Sequence, residues 1–419
     1  MSNNRWTNLS VAYLALVGAF LPYVGWSPSL GSISEDLGLN YSQAGGISSI
    51  TGLVAGAMIL IGGVVASRWG CKNVILAGLA AGVIGQAVFA MSSGFGLVVV
   101  ARVLAGVSVG FLWVATYTMA VNWFRDRQET GRAVGVMLSA DGMGAVLGLF
   151  VFSTVLATFG WRMGLAVQAV CLGAVLIVVL VVSKNAPAPE SELAAAGEVE
   201  VSPGTSDLVR SMFHCLKNRN VLTALLYWVG GVGLFSVIAS WMPAILVEDA
   251  GMSESLAGFI SALFSIAGSA AALSVPSLAE HWGNKKKVVV VSGIVTTCSL
   301  AAMTLFLATE NYLVVALLVP VIGLGVYAGE SLTLATAVES VDARYSGLVN
   351  GIIVGTPWLV SGFAYPYILG AVKDTTGSFV QGFLTLTVAT VVLCALSPLR
   401  IKESSAVSAM ASEAEKPGA

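Results

Sequence analysis

Apolar residues in this chain come in long runs separated by short polar punctuation, and the length of the runs is their most telling property. A bilayer core of about 30 Å takes roughly 20 apolar residues in a helix that rises 1.5 Å per residue. Twelve stretches reach that length, at residues 8–30, 43–66, 74–93, 96–122, 131–158, 161–183, 219–245, 253–279, 287–308, 312–338, 345–371 and 376–398. The pattern predicts an all-α polytopic membrane protein with twelve transmembrane helices and the lipid bilayer as its solvent. Two polar cassettes, Ser67-Arg68-Trp69-Gly70-Cys71-Lys72 and Glu280-His281-Trp282-Gly283-Asn284-Lys285, each close one run and open the next. Their tryptophans are 213 residues apart, half the chain, while Gly106 and Gly323, and Arg127 and Arg344, are each 217 apart. Recurrence at that spacing predicts a duplicated module, hence two pseudo-symmetric six-helix bundles.

Composition agrees, since 57% hydrophobic and 10% charged residues leave too little polar surface for a soluble domain. Basic residues set the orientation, because cytoplasmic loops retain Lys and Arg. With the N-terminus inside, all but Arg102, Arg162 and Lys373 of the 20 Lys and Arg fall on the cytoplasmic side. Both termini are therefore expected in the cytoplasm and the chain in the plasma (inner) membrane. The first run is too long for a signal-peptide core and reads as the first spanning helix. Residues 1–183 form the expected N-terminal bundle, 184–218 a polar linker with Pro187, Pro189 and Pro203, 219–400 the C-terminal bundle, and 401–419 a disordered cytoplasmic tail. Cys71, Cys171, Cys215, Cys298 and Cys394 show no CxxC spacing and read as free thiols, with no metal site. A net charge of −2 gives no reason to expect a nucleic-acid partner.

The loop after the second helix, with Gly63, Arg68, Gly70 and Lys72, and its weaker copy Glu280, His281, Gly283 and Lys285, resembles the signature loop of the major facilitator superfamily. Arg102-x3-Gly106-x3-Gly110 in helix 4, Gly160-Trp161-Arg162 before helix 6 and Trp241-Met242-Pro243 closing helix 7 extend the resemblance over about residues 8–398. It implies a monomeric transporter whose two bundles rock about a midplane site lined by helices 1, 4, 7 and 10. The chain departs from the family at the loop aspartate, which is Ser67, and at the following base, which is Cys71. A weaker cytoplasmic gate is expected, with Arg68 and Lys72 free to meet helix ends or lipid phosphates; simple topology-setting charges are the competing reading. Gly347, Gly351 and Gly355 in helix 11, with Gly131 and Gly135 in helix 5, read as a close-packed seam between the bundles.

Ionisable groups inside the membrane cost roughly 2.5–3.5 kcal/mol each on insertion scales unless paired or hydrated. Three stand out: Arg102 near the outer end of helix 4, Asp141 in helix 5 and Glu330 in helix 10. Glu330 replaces the aromatic Trp113 of the first repeat, an asymmetry that suits a proton-loading group, because burial favours the neutral carboxyl. Each of the three has a structural alternative: a helix-end hydrogen bond, a packing contact or an ion pair. Arg102 also resembles the helix 4 arginine that the family uses in proton coupling. Tyr23, Trp26, Trp113, Tyr117, Tyr227, Trp228 and Tyr327, with Trp358 beside Pro357 in helix 11, are the candidate cavity aromatics.

No GxxxxGK[ST] loop is present, and the two histidines, His214 and His281, both lie in cytoplasmic segments, which argues against ATPase, metalloprotease or intramembrane protease chemistry. The chain reads as a cofactor-free secondary transporter rather than an enzyme, coupling protons to uptake of a small organic solute, with a lean toward organic acids. Helix 5 supports uptake, having Ala145 where the family's drug antiporters carry proline. Two alternatives remain: a proton-coupled antiporter that uses Asp141 and Glu330 to export a neutral or cationic drug or metabolite, and a transporter-like sensor that does not move its ligand.

Overall fold

The computed structural model describes residues 2–124, 129–185, 205–342 and 345–402. It contains twelve helices long and apolar enough to span a membrane: α1 (Asn4–Leu37), α2 (Tyr41–Trp69), α3 (Cys71–Ala90), α4 (Phe95–Phe124), α5 (Arg132–Phe159), α6 (Trp161–Val182), α7 (Arg219–Glu248), α8 (Glu254–Ala279), α9 (Lys285–Ala308), α10 (Tyr312–Glu339), α11 (Ser346–Thr376) and α12 (Phe379–Arg400). An even number of spans puts both chain ends on one side, here termed the terminal side; the other is the far side. The expected linker is described only at its edges, as 186–204 and the tail 403–419 lie outside the described residues, as do Arg125, Arg127 and Arg344. A short helix, Thr205–Leu216, precedes α7.

Side-chain caps start the helices where the chain turns. Asn40 and Gln43 form a reciprocal capping box at α2, and Asn284, Asn311 and Ser378 accept backbone N–H groups at α9, α10 and α12. Both signature cassettes turn on a glycine with positive φ, +80° at Gly70 and +64° at Gly283, a conformation closed to most side chains. Trp69 and Trp282 are 62% exposed alike, as expected of ring anchors at a membrane–water boundary.

Within the first bundle α4 packs on α1, α2 and α3; within the second α10 packs on α7, α8 and α9. The bundles meet along α2 against α11, α5 against α8, and α1 against α7. Two of these helices widen into π turns at pseudo-equivalent places, Val146–Val151 in α5 and Trp358–Gly362 in α11, the second directly after Pro357. The expected glycine seam is only partly realised. A Cβ on Gly355 would meet Leu60, and one on Gly135 would reach Leu273, but Gly347 and Gly351 have open space around them. α2 and α11 therefore separate toward the terminal side, and there the small residues are not needed for packing.

α1 is longer than its hydrophobic run suggests because it is interrupted. Helix Ser2–Val24 carries Pro22, passes through a 3-10 turn at Ser27–Ser29 and resumes as Leu30–Leu37. The interruption frees backbone carbonyls that no helical N–H can reach, and they require partners in a membrane.

Candidate functional site

Those carbonyls are taken by buried polar side chains of the first bundle. Arg102 of α4 donates from Nη2 to Pro22 O at 2.7 Å and Tyr23 O at 3.3 Å, and from Nε to Ile47 O at 3.2 Å and Thr51 Oγ1 at 2.9 Å. Gln168 of α6 donates to Gly25 O at 2.7 Å and bonds Gln86 of α3, which adds a 3.3 Å bond to Leu21 O, a carbonyl that already accepts from the Gly25 backbone N–H at 3.1 Å. The Trp26 and Phe89 rings cover the guanidinium at 5.2 and 5.6 Å. Arg102 and Trp26 are both fully buried, so Trp26 is a lid on Arg102 and not a cavity wall.

Held this way, the break in α1 presents Tyr23 and Ser27 to the second bundle. Tyr23 Oη meets Ser236 Oγ of α7 at 3.2 Å, and Ser27 donates to Ala239 O at 2.7 Å. Farther out, Ser29 donates to Glu254 at 2.7 Å, Thr154 meets Ser255 at 3.1 Å, and Asp374 accepts from the backbone N–H groups of Tyr41 and Ser42 at 3.0 and 2.8 Å and from the Ser42 hydroxyl. Asp374 thus caps α2 from across the bundle interface. Between described residues, every hydrogen bond that joins the bundles lies in this far half. A far-side cavity of about 370 Å³, with Glu35, Tyr41, Trp241, Glu248 and Asp374 in its walls, lies outside the Tyr23 and Ser27 contacts.

Below these contacts an arc of rings crosses both bundles. Tyr117 packs on Trp113 at 6.2 Å, Trp113 on Trp358 at 6.1 Å, and Trp358 on Tyr23 at 5.2 Å and Phe235 at 6.2 Å. Phe235 stacks on Phe264 at 6.0 Å, and Phe264 meets Tyr327 edge-on at 6.0 Å. Tyr23 and Trp358 are buried, while Trp113, Tyr117 and Tyr327 are half-buried, and the accessible side of the arc that these rings border is termed the chamber. Phe235 and Phe264 were not legible as members, since an isolated Phe in an apolar run carries no polar handle.

Asp141 and Glu330 sit in this chamber, one from each bundle, close enough to interact electrostatically with each other and with Tyr327; Asp141 also interacts with Tyr117. Asp141 is 5% exposed, yet its Oδ1 has no hydrogen-bond partner among the described residues. Glu330 is half-buried, and its carboxylate likewise makes no hydrogen bond to a described residue. Its place is set by its neighbours: Trp228 donates to the Glu330 backbone carbonyl at 3.0 Å, and a Cβ on Gly231 would collide with Oε1. Gly268 makes the corresponding notch for the Tyr327 ring. Ser261, Ser265 and Ser269 form a buried stripe on α8; Ser265 is beside Tyr327, and Ser269 Oγ has no hydrogen-bond partner among the described residues.

Other expected site residues lie elsewhere. Tyr227 is fully buried inside the second bundle, donating to Gly325 O at 2.9 Å and packing with Val289, Leu332 and Cys394, so it does not line the chamber. Lys72 donates to Leu180 O at 2.8 Å, closing the end of α6, while Arg68 and Gly63 are exposed. Lys285 pairs with Glu339 at 2.8 Å; His281 is exposed, and the side chain of Glu280 lies outside the described residues. The signature loops therefore brace helices within their own bundles.

Two six-helix bundles closed over a midplane chamber on one side define a multi-pass membrane protein of the secondary-transporter class. The chain belongs to the Major Facilitator Superfamily, which it matches over residues 12–366. It is 25% identical over 387 residues to the hexuronate transporter of Bacillus subtilis (strain 168), spanning 89% of each chain. It is 29% identical over 272 residues to a chloramphenicol resistance protein of Streptomyces lividans, spanning 64% of each. Its fold is similar to that of a D-xylose-proton symporter, with a TM-score of 0.72 at 13% identity over 94% of this chain and 97% of that one. A member of this family is a transporter and not an enzyme.

Proposed function

We propose that the protein is a proton-coupled transporter of a small organic solute, working by alternating access, with Asp141 and Glu330 as the proton-carrying pair. The observation that carries this reading is the pairing itself: two carboxylates from opposite bundles, in mutual electrostatic reach, neither hydrogen-bonded to a described residue that would fix it as a structural element. Two like charges in a poorly solvated space favour holding at least one proton. Their separation changes when the bundles rock, so proton occupancy and conformation are linked. Arg102 is a positioning residue in this scheme, holding the α1 break on which the far side closes.

With the terminal side cytoplasmic, as the basic residues require, the conformation described is closed to the outside. The membrane is then the plasma membrane, and the driving force is about 2.3 kcal/mol per charge per 100 mV plus the pH gradient. The D-xylose-proton symporter likeness supports proton coupling, and the hexuronate relative supports uptake of organic acids. The chloramphenicol resistance relative supports the efflux alternative.

The test is purified protein in liposomes loaded with a pH-sensitive dye, with small organic acids, amines and sugars added outside. The expected result is a solute-dependent internal pH change with at least one compound, lost in Glu330→Gln. Labelled solute that exchanges with no proton movement would refute coupling through Glu330, and ligand binding without any flux would favour a sensor.

A further inference from the structure

The walls of the chamber hold a second regularity, which concerns charge. The titratable groups that bear on Asp141 and Glu330 are each other, Tyr117, Tyr227, Tyr327 and Cys394. No Lys, Arg or His among the described residues stands beside either carboxylate. Among the described residues the basic side chain at membrane depth is Arg102, which is fully buried, covered by two rings and committed to α1 and α2. An anionic solute entering here would add a third negative centre to a desolvated space and find no cation. Protonating both carboxyls removes the repulsion but still leaves the anion unpaired. A protonated amine meets the opposite situation: Asp141 Oδ1 with no partner among the described residues, the half-buried Glu330 carboxylate, and the electron-rich rings of Tyr117 and Tyr327 in electrostatic reach of Asp141.

We propose that the chamber takes organic solutes with a protonated amine beside an aromatic body, the amine lying between Asp141 and Glu330 and the body against the ring arc. The inference rests on the reading that this chamber is the transport site, and it departs from what hexuronate transport by a relative would suggest. Because the same carboxylates bind proton and amine, acidification displaces the solute: binding is strongest where both carboxyls are ionised and weakens as pH falls.

Three probes that share one skeleton and differ in charge separate the possibilities: tyramine (cation), 4-hydroxyphenethyl alcohol (neutral) and 4-hydroxyphenylacetate (anion). Each is titrated by equilibrium dialysis against the full-length protein in lipid nanodiscs, as wild type, Asp141→Asn and Glu330→Gln. The expected order is tyramine, then the alcohol, then the acid, with tyramine about tenfold tighter than the alcohol, and the variants retaining alcohol binding while losing that preference. Tighter binding of the acid, a tyramine preference unchanged in both variants, or no binding of any probe would overturn the proposal. Variants that fail to bind even the alcohol are replaced by a pH titration of the wild type, where a tyramine affinity that does not fall on acidification has the same force. The dialysis reads binding alone. A failure of proton coupling in liposomes with tyramine selectivity intact therefore refutes the proposed function and leaves this inference standing.

Discussion

Arg102 and the Asp141–Glu330 pair both place charge inside the membrane, but their surroundings are opposite. Arg102 is wrapped: carbonyls of Pro22, Tyr23 and Ile47, the Thr51 hydroxyl and two aromatic faces take its guanidinium, and no surface of it is exposed. Asp141 and Glu330 have tyrosines and each other for neighbours and no bonded partner among the described residues. The cost of burying a charge is similar at the two sites, so the partners distinguish their roles. A charge tied by several hydrogen bonds to neighbouring helices holds shape, as Arg102 does through Nε and Nη2 even though its Nη1 has no partner among the described residues, whereas one with no such bond at a moving interface is available for a ligand or a proton.

The largest structural loss follows removal of the bonded charge. Arg102→Met leaves Pro22 O at the α1 break without its side-chain donor, Tyr23 O keeping the Trp26 indole N–H at 2.8 Å, and removes the ties to Ile47 O and Thr51 of α2. It is expected to cost on the order of 3 kcal/mol, since each hydrogen bond to a charged group contributes about 1.5–3 kcal/mol. Thermal melting in detergent reads this directly. A melting temperature equal to wild type would show that the α1 break does not need Arg102.

Next in size is Gly231→Ala, whose added methyl takes the space of Glu330 Oε1 without removing any charge. Transport is expected to fall ~10-fold with little change in melting, because a displaced functional group loses much of its effect when moved by about an ångström. Retained transport would detach Glu330 from the mechanism.

On the far side, Tyr23→Phe removes the bond to Ser236 and is expected to weaken far-side closure by ~0.5–1.5 kcal/mol. Asp374→Asn keeps the shape of the α2 cap and removes its charge. The group is exposed and screened, so a population shift of only about twofold is expected toward the outward-open form. Reactivity of a cysteine introduced at Ser240, one turn along α7 from Ser236, with a membrane-impermeant thiol reagent reads both shifts in a background without native cysteines. Unchanged reactivity in both variants would mean that these contacts do not hold the far side shut.

Much of this arrangement was legible in the residues. Twelve spans follow from run length alone, the two bundles from the paired cassettes, and Asp141 and Glu330 from the rarity of carboxylates in apolar runs. Depth along the membrane normal separated Arg102 from Asp141. What could not be read was angular: Trp26, Tyr227 and Trp113 all sit in apolar helices, and only packing shows that the first covers Arg102, the second fills the second bundle and the third faces the chamber. The α1 interruption was hidden because Pro22 and Gly25 are both tolerated inside spanning helices. Its partners Gln86 and Gln168 read as isolated polar residues until the freed carbonyls are located. The glycine row in helix 11 suggested contact along its whole length, and the separation of α2 from α11 limits that contact to Gly355.

The central claim is that Asp141 and Glu330 carry the proton while Arg102 carries structure. Proteoliposomes test it by comparing solute accumulation driven by an imposed pH gradient with solute exchange at equal pH, for wild type, Asp141→Asn, Glu330→Gln and the folded fraction of Arg102→Lys. The account predicts that both carboxylate variants exchange but do not accumulate, whereas Arg102→Lys still accumulates. Gradient-driven accumulation by either carboxylate variant, or exchange without accumulation in Arg102→Lys, would contradict it.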